Sequence, residues 1–359
     1  MKWFVLYSIL LSGLLFGCET VYTPDIEERE NVIVADARII YGQYDNYITL
    51  TESLSFNDDS YYFPPAQGGT VFLIDSDGNE YELPETQTGY FHVNFPLNSQ
   101  RSYKIRIQYK GNTFESSYEP VPKVPVLDTV YGIPEIEIVQ EGGENNVHDF
   151  REKAGAQLYC DIVSEDEMPY YRFTARKIMQ YTYPVEVNFF GQILLQTMFA
   201  WKSYSPQDIF NIASPPDYSS TKRITKHPLF FLDKKGPVSE DEVFDGWILI
   251  LYQYGLSKSA HGYYDDLNNQ LESEGRLFDP LYVQARSNME CVNDPGQIIL
   301  GNFEISTIKE SRYHVRFISD EKGYLVKPIT YFYDIPQSGE QLDEIPDFWE
   351  SPSKIYPND

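Results

Sequence analysis

Tyr103, Ile105, Ile107 and Tyr109 alternate with Lys104, Arg106 and Gln108, so every second side chain is apolar. A period of two buries one face of a strand, and no helix gathers such a set on one side. The same grain recurs through residues 31–117, in Val32, Val34, Ala37 and Ile39, then in residues 47–51 and 70–74. Turn residues separate these stretches. Asp77-Gly78 and Gly111-Asn112 accept the positive φ of tight hairpins. The chain holds 30 Tyr, 22 Phe and 4 Trp in 359 residues, a usage that suits pleated, half-buried surfaces. The expectation is an all-β protein that opens, over residues 31–118, with about seven short strands in a small sandwich.

Pro120, Pro122 and Pro125 alternate with Val121, Val124 and Val126. That spacing excludes helix and favours extended chain, which places a linker at 119–128. Beyond it, residues 157–163, 171–181, 185–199, 224–232, 247–254, 297–306 and 313–318 read as strands of a larger β-rich domain over 129–338. One segment changes period. After Ser257, a candidate N-cap, the residues Ala260, Tyr263, Tyr264, Leu267 and Leu271 recur at three- and four-residue steps up to Gly275. That is one amphipathic helix with a stop. Residues 339–359 form an acidic, proline-rich tail around Phe348-Trp349.

The first seventeen residues have a different character. Lys2 precedes an apolar run over residues 3–16, about 21 Å long as a helix and short of a ~30 Å bilayer core, as a signal peptide requires. Leu15, Phe16, Gly17 and Cys18 resemble the bacterial lipobox. The resemblance implies cleavage before Cys18 and lipidation of its sulfur; the alternative is a plain secretory peptide with a chance cysteine. Two or more acyl chains hold a protein stably on a membrane. Residues 18–30, with Asp25, Glu27, Glu28 and Glu30, then read as an acidic tether. Cys160 and Cys291 remain in the mature chain, either as a disulfide that an extracytoplasmic compartment permits or as two buried thiols.

Lys and Arg number 28 against 54 Asp and Glu, a net charge of −26. That field repels phosphate backbones and argues against nucleic acid as a partner. Motifs of catalysis are missing. His92, His148, His227, His261 and His314 are scattered singly, and no phosphate-cradling glycine loop or Gly-x-Ser-x-Gly elbow occurs. Asp75, Asp77 and Asn79 imitate a calcium loop but lack its terminal Glu, so a hairpin turn is the better account. No enzyme activity, metal or cofactor is expected. Two features suit binding: tyrosines at Tyr61-Tyr62, Tyr181 with Tyr183, and Tyr263-Tyr264, and the one basic cluster, Lys222, Arg223 and Lys226 beside His227. Core packing for the rings and a solvated loop for the cations are the competing accounts.

The order of features resembles a family of Bacteroidota outer-membrane lipoproteins, domain of unknown function 4249. Cys18, the module over 69–118 with its immunoglobulin-like or transthyretin-like pattern, Pro122-x-x-Pro125-x-x-Asp128, the stretch 257–280, and Gly301-Asn302-Phe303-Glu304-Ile305-Ser306 carry the resemblance. Pro346, Asp347, Phe348 and Trp349 match a family tail without its cysteine pair. The resemblance implies attachment to the outer membrane through the N-terminal lipid and an accessory role beside a TonB-dependent receptor in nutrient uptake. The competing expectation is a structural or adhesive surface lipoprotein that contacts host or matrix glycans or proteins.

Overall fold

The computed structural model describes residues 32–54, 62–140, 150–163, 169–205, 210–216, 223–234, 242–272, 285–319, 323–329 and 341–342. Nine strands come first: β1 (Ile33–Ile40), β2 (Asn46–Glu52), β3 (Thr70–Asp75), β4 (Glu80–Glu82), β5 (Glu85–Gln87), β6 (Tyr90–Val93), β7 (Ser102–Tyr109), β8 (Asn112–Ser116) and β9 (Glu119–Pro120). Then come β10 (Thr129–Gln140), β11 (Phe150–Val163), β12 (Tyr170–Phe189), β13 (Gln192–Tyr204), β14 (Asn211–Ala213), β15 (Arg223–Asp233) and β16 (Val243–Leu256). The helix α1 (Lys258–Glu272) follows, and β17 (Met289–Cys291), β18 (Ile299–Ser319), β19 (Gly323–Ile329) and β20 (Gln341–Leu342) complete the order. The protein is all-β with one described helix.

The first sandwich sets the sheet β18-β1-β2-β6-β5 against β17-β8-β7-β3-β4, with β9 beside β7. Alternation decides its core. Ile33, Ala35, Ala37 and Ile39 of β1 face Tyr103, Ile105, Ile107 and Tyr109 of β7 across one buried cluster with Phe91, Phe303 and Ile305. Each Ile or Phe among them contributes roughly 1.5–3 kcal/mol when fully buried. The turns follow the sequence closely. Asp75 is buried and accepts from the backbone N–H of Asp77 (3.0 Å) and Asn79 (2.9 Å), while Gly78 takes φ +87°. Burial pushes the Asp75 carboxyl up, but donors from Asn79, Arg101 and Asp77 outweigh it and hold the group below the usual carboxylate range. The calcium-loop look-alike is therefore a side-chain-stapled hairpin. The second turn falls one residue earlier than expected: Lys110 (φ 46°) and Gly111 (φ 81°) form the loop, and Tyr109 pairs with Asn112.

The segment that completes this sandwich comes from the far end of the chain. β17 pairs β8, and the first third of β18 pairs β1 in parallel from Ile33↔Ile299 to Ile40↔Ser306. Sequence had grouped these residues with the larger domain. Past Ser306 the same strand turns to other partners, pairing β16 antiparallel from Gly255↔Thr307 to Trp247↔Val315, with β19 on its other side. At 21 residues and ~3.3 Å each, β18 is a beam of about 70 Å.

In the second sandwich, β13-β12-β16-β18 covers a three-stranded sheet β10-β11-β15. Leu158, Cys160 and Ile162 of β11, Phe173 and Met179 of β12, Leu229 and Leu232 of β15, and Trp247, Leu249 and Leu251 of β16 make its core. Ile178, Trp201, Ile248 and Ile250 form a further buried cluster.

Candidate functional site: a joint and a finger

Helix α1 sits where the two sandwiches meet, and Ser257 starts it. Its Oγ accepts the N–H of Ala260 at 3.1 Å, the N-cap the sequence predicts. The same hydroxyl donates to Glu119, a carboxylate on β9 that is 1% exposed. Asn288 donates to the other Glu119 oxygen at 3.0 Å, donates to the Phe303 carbonyl at 2.8 Å and accepts the Phe303 N–H at 2.9 Å. One buried carboxylate thus ties the linker, the helix start and the returning strand. Thr307 donates to the Lys123 carbonyl at 2.8 Å, and a Cβ on Gly255 would stand 2.8 Å from that same oxygen, so only glycine lets the linker lie against β16.

A second buried group lies one layer away. Arg172 of β12 has its guanidinium 4.3 Å from the Tyr254 ring centroid and 4.8 Å from that of Tyr264, between two aromatic faces. Its Nη2 is 3.7 Å from Glu304 of β18, with side chains only 9% and 2% exposed. Burial raises the Glu304 carboxyl, opposed by the Arg172 charge and a hydrogen bond from Tyr264; burial and then the Glu304 charge raise the Tyr264 phenol. So little exposed, the group holds α1 against the sheet formed by β12, β16 and β18.

The accessible chemistry lies elsewhere. β12 and β13 pair from Lys177↔Tyr204 to Phe189↔Gln192, closing at Phe190 (φ 48°) and Gly191 (φ 82°). Two positive-φ residues define a two-residue hairpin loop, and Asn188 staples it by accepting the Gly191 N–H at 2.9 Å. Sequence had read 185–199 as one strand and a break near Pro184. The break does not occur: pairing with β16 ends at Thr182↔Val243, so Pro184 stands at a free edge where its missing N–H costs no ladder bond. The result is a projecting finger. Val187, Phe189, Phe190, Ile193, Leu194 and Leu195 are 36, 58, 95, 67, 50 and 72% exposed. No ionisable side chain occurs over residues 187–201. A contiguous exposed apolar surface of this kind is uncommon on a protein in water.

The finger and the chain's point of entry lie at opposite ends. β1 begins at Ile33 beside Ile299; sixteen residues along β18 lead to Val315, level with Trp247 and Met179, and β12 runs ten more to Phe189. That is about 85 Å of strand path.

The residues singled out in the sequence meet varied fates. Cys18, Tyr61 and Lys222 lie outside the described residues. Tyr62 is exposed, and Arg223 is exposed at the start of β15. Tyr181 is buried at the root of the finger beneath the Lys202 ammonium, 4.3 Å from its ring, and stacks on half-buried Tyr183 at 6.1 Å, so Tyr181 serves packing and not contact. Lys226 is turned onto the protein itself: its ammonium is 5.2 Å from the Tyr159 ring and its N–H donates to Asp161 at 2.7 Å. His227 beside it is packed on Phe173, donates from Nε2 to the Asn211 side-chain oxygen over 2.7 Å, and is pushed down to about 4 by burial. The disulfide does not form. Cys160 and Cys291 are free buried thiols in separate cores, each taken up by its own sandwich. Among the described residues no group of three or more His, Cys, Asp or Glu is placed to hold a metal, and no described helix is long and apolar enough to cross a membrane.

Two β-sandwiches fused through one strand, bearing an exposed apolar hairpin, define the protein as all-β in architecture. The chain belongs to the family described as Domain of unknown function (DUF4249), whose model matches residues 19–312. No curated protein and no solved structure matches it.

Proposed function

We propose that this protein is an outer-membrane-anchored, non-enzymatic binding lipoprotein that serves a TonB-dependent nutrient-uptake receptor. Cys18 in its lipobox setting supplies the anchor, and the thirteen residues between it and Val32 reach at most about 50 Å. The observation that carries the reading is the placement of the apolar finger some 85 Å of strand path from the tethered end. A body held by one end and apolar at the other is suited to standing on a membrane and engaging a neighbour.

Two measurements test this. Metabolic labelling with an alkyne fatty acid marks the wild type and not Cys18→Ser. Affinity purification of the acylated protein from detergent-solubilised outer membranes recovers a receptor barrel. Unlabelled wild-type protein, or repeated recovery without any barrel, refutes the proposal.

A further inference from the structure

The finger has two faces and two outer edges, and together they select what covers it. Cross-strand partners share a face. Val187, Leu194 and Phe189 therefore lie on one face, and Ile193 and Leu195 on the other, all exposed. A flat partner surface covers only one such face, so the finger requires surroundings on both sides.

The edges decide between the surroundings. Pairing with β16 stops at Thr182, and β20 reaches β13 only at Phe199 and Ala200. Among the described residues, no strand flanks the finger between those limits. The closing pair of a two-residue hairpin, Phe189 and Gln192, bonds inward, so alternation aims the N–H groups of Glu186, Asn188, Ile193, Leu195 and Thr197 outward. Hydrocarbon offers such groups no partner, and open sheet edges do not persist there. A second copy is disfavoured by charge, because each chain carries −26.

We infer that the finger is a plug for another protein, whose socket has apolar walls on two sides and an open strand edge that the finger extends by main-chain hydrogen bonding. The apolar side chains supply the burial and the partner's edge satisfies the outward N–H groups.

The test is photo-crosslinking in cells that produce the full chain, with a photo-reactive phenylalanine analogue at Val187 or, separately, at Ile193, on opposite faces. Both positions are expected to trap the same polypeptide, different from this chain. Thr197→Pro removes one outward N–H and no apolar area; it is expected to lower both adducts about tenfold, the loss of roughly one net hydrogen bond, with an unchanged melting temperature. Adducts to lipid alone, adducts of doubled mass from a second copy, adducts from one face only, or none would each overturn the inference. Unchanged adducts in Thr197→Pro overturn the edge pairing. A trapped protein that is not a TonB-dependent barrel leaves the socket standing and removes the receptor from the proposed function.

Discussion

Replacing Ser257 with Ala deletes one oxygen that has two partners. As N-cap it accepts the Ala260 N–H, and loss of a cap costs about 1 kcal/mol. As donor it serves the buried Glu119 carboxylate, and removing a hydrogen bond to a buried charge costs roughly 1.5–3 kcal/mol. Asn288 still holds the other carboxylate oxygen, so Glu119 remains placed but under-solvated. Ser257→Ala is therefore expected to lower the unfolding free energy by about 2.5–4 kcal/mol in urea titrations, while Ser257→Thr keeps most of it. A double-mutant cycle isolates the shared part: with Glu119→Leu as the second change, about 1–2 kcal/mol of coupling is expected, since removing both partners spares the orphaned charge. A loss under about 1 kcal/mol for Ser257→Ala, or a cycle with no coupling, would show that the carboxylate does not bind the helix to the linker.

Three further outcomes follow from single positions. His227 is depressed by burial to about 4 from 6.5, so the native state keeps it neutral while the unfolded chain takes up a proton first; stability is flat above pH ~6.5 and falls by up to about 3 kcal/mol towards pH 4. Urea melts at pH 7.5 and 4.5 should show a smaller fall in His227→Gln, and an equal fall would remove His227 as the cause. Gly301 has φ +95°, and a Cβ there would stand 2.0 Å from the Ala35 carbonyl oxygen, so Gly301→Ala should cost more than about 3 kcal/mol and open the parallel β1–β18 pairing, visible as lost amide protection in hydrogen exchange. Burial pushes the Cys160 thiol up to about 12, leaving roughly one thiolate in ten thousand at pH 8; iodoacetamide should label it only after unfolding, and native-state labelling at the unfolded rate would contradict its burial.

Local chemistry was legible in the sequence wherever one segment contains its own reason. Asp75-x-Asp77-Gly78-Asn79 holds both the side-chain acceptor and the positive-φ residue of its turn, and Ser257 announces a helix three residues before the N–H it caps. Periodicity also overreached: Leu271 shares the helical step of Ala260 and Tyr264, yet it is 61% exposed and outside the cluster that those two form. Partner choice was hidden. Nothing near Arg172 names Glu304, and nothing in 299–306 distinguishes a strand that joins β1 from one that joins its own neighbours. The finger was missed for a different reason. Pro184 reads as a break, but it lies beyond the reach of β16, where a proline interrupts nothing, while the true turn at Phe190-Gly191 is embedded in an apolar run. Asn188, two residues before Phe190, was the available cue.

The parallel pairing of Ile33 with Ile299 has a consequence for biogenesis. Residues 266 positions apart must meet before the leading sheet is sealed, a late and entropically expensive closure. While the chain is being synthesised, its leading half therefore waits with β1 and β8 uncovered, exposed to whatever strand arrives first. A fragment ending after the proline-rich linker would inherit that incomplete state permanently, so the leading sandwich is a product of the finished polypeptide and not a unit that can be cut away from it.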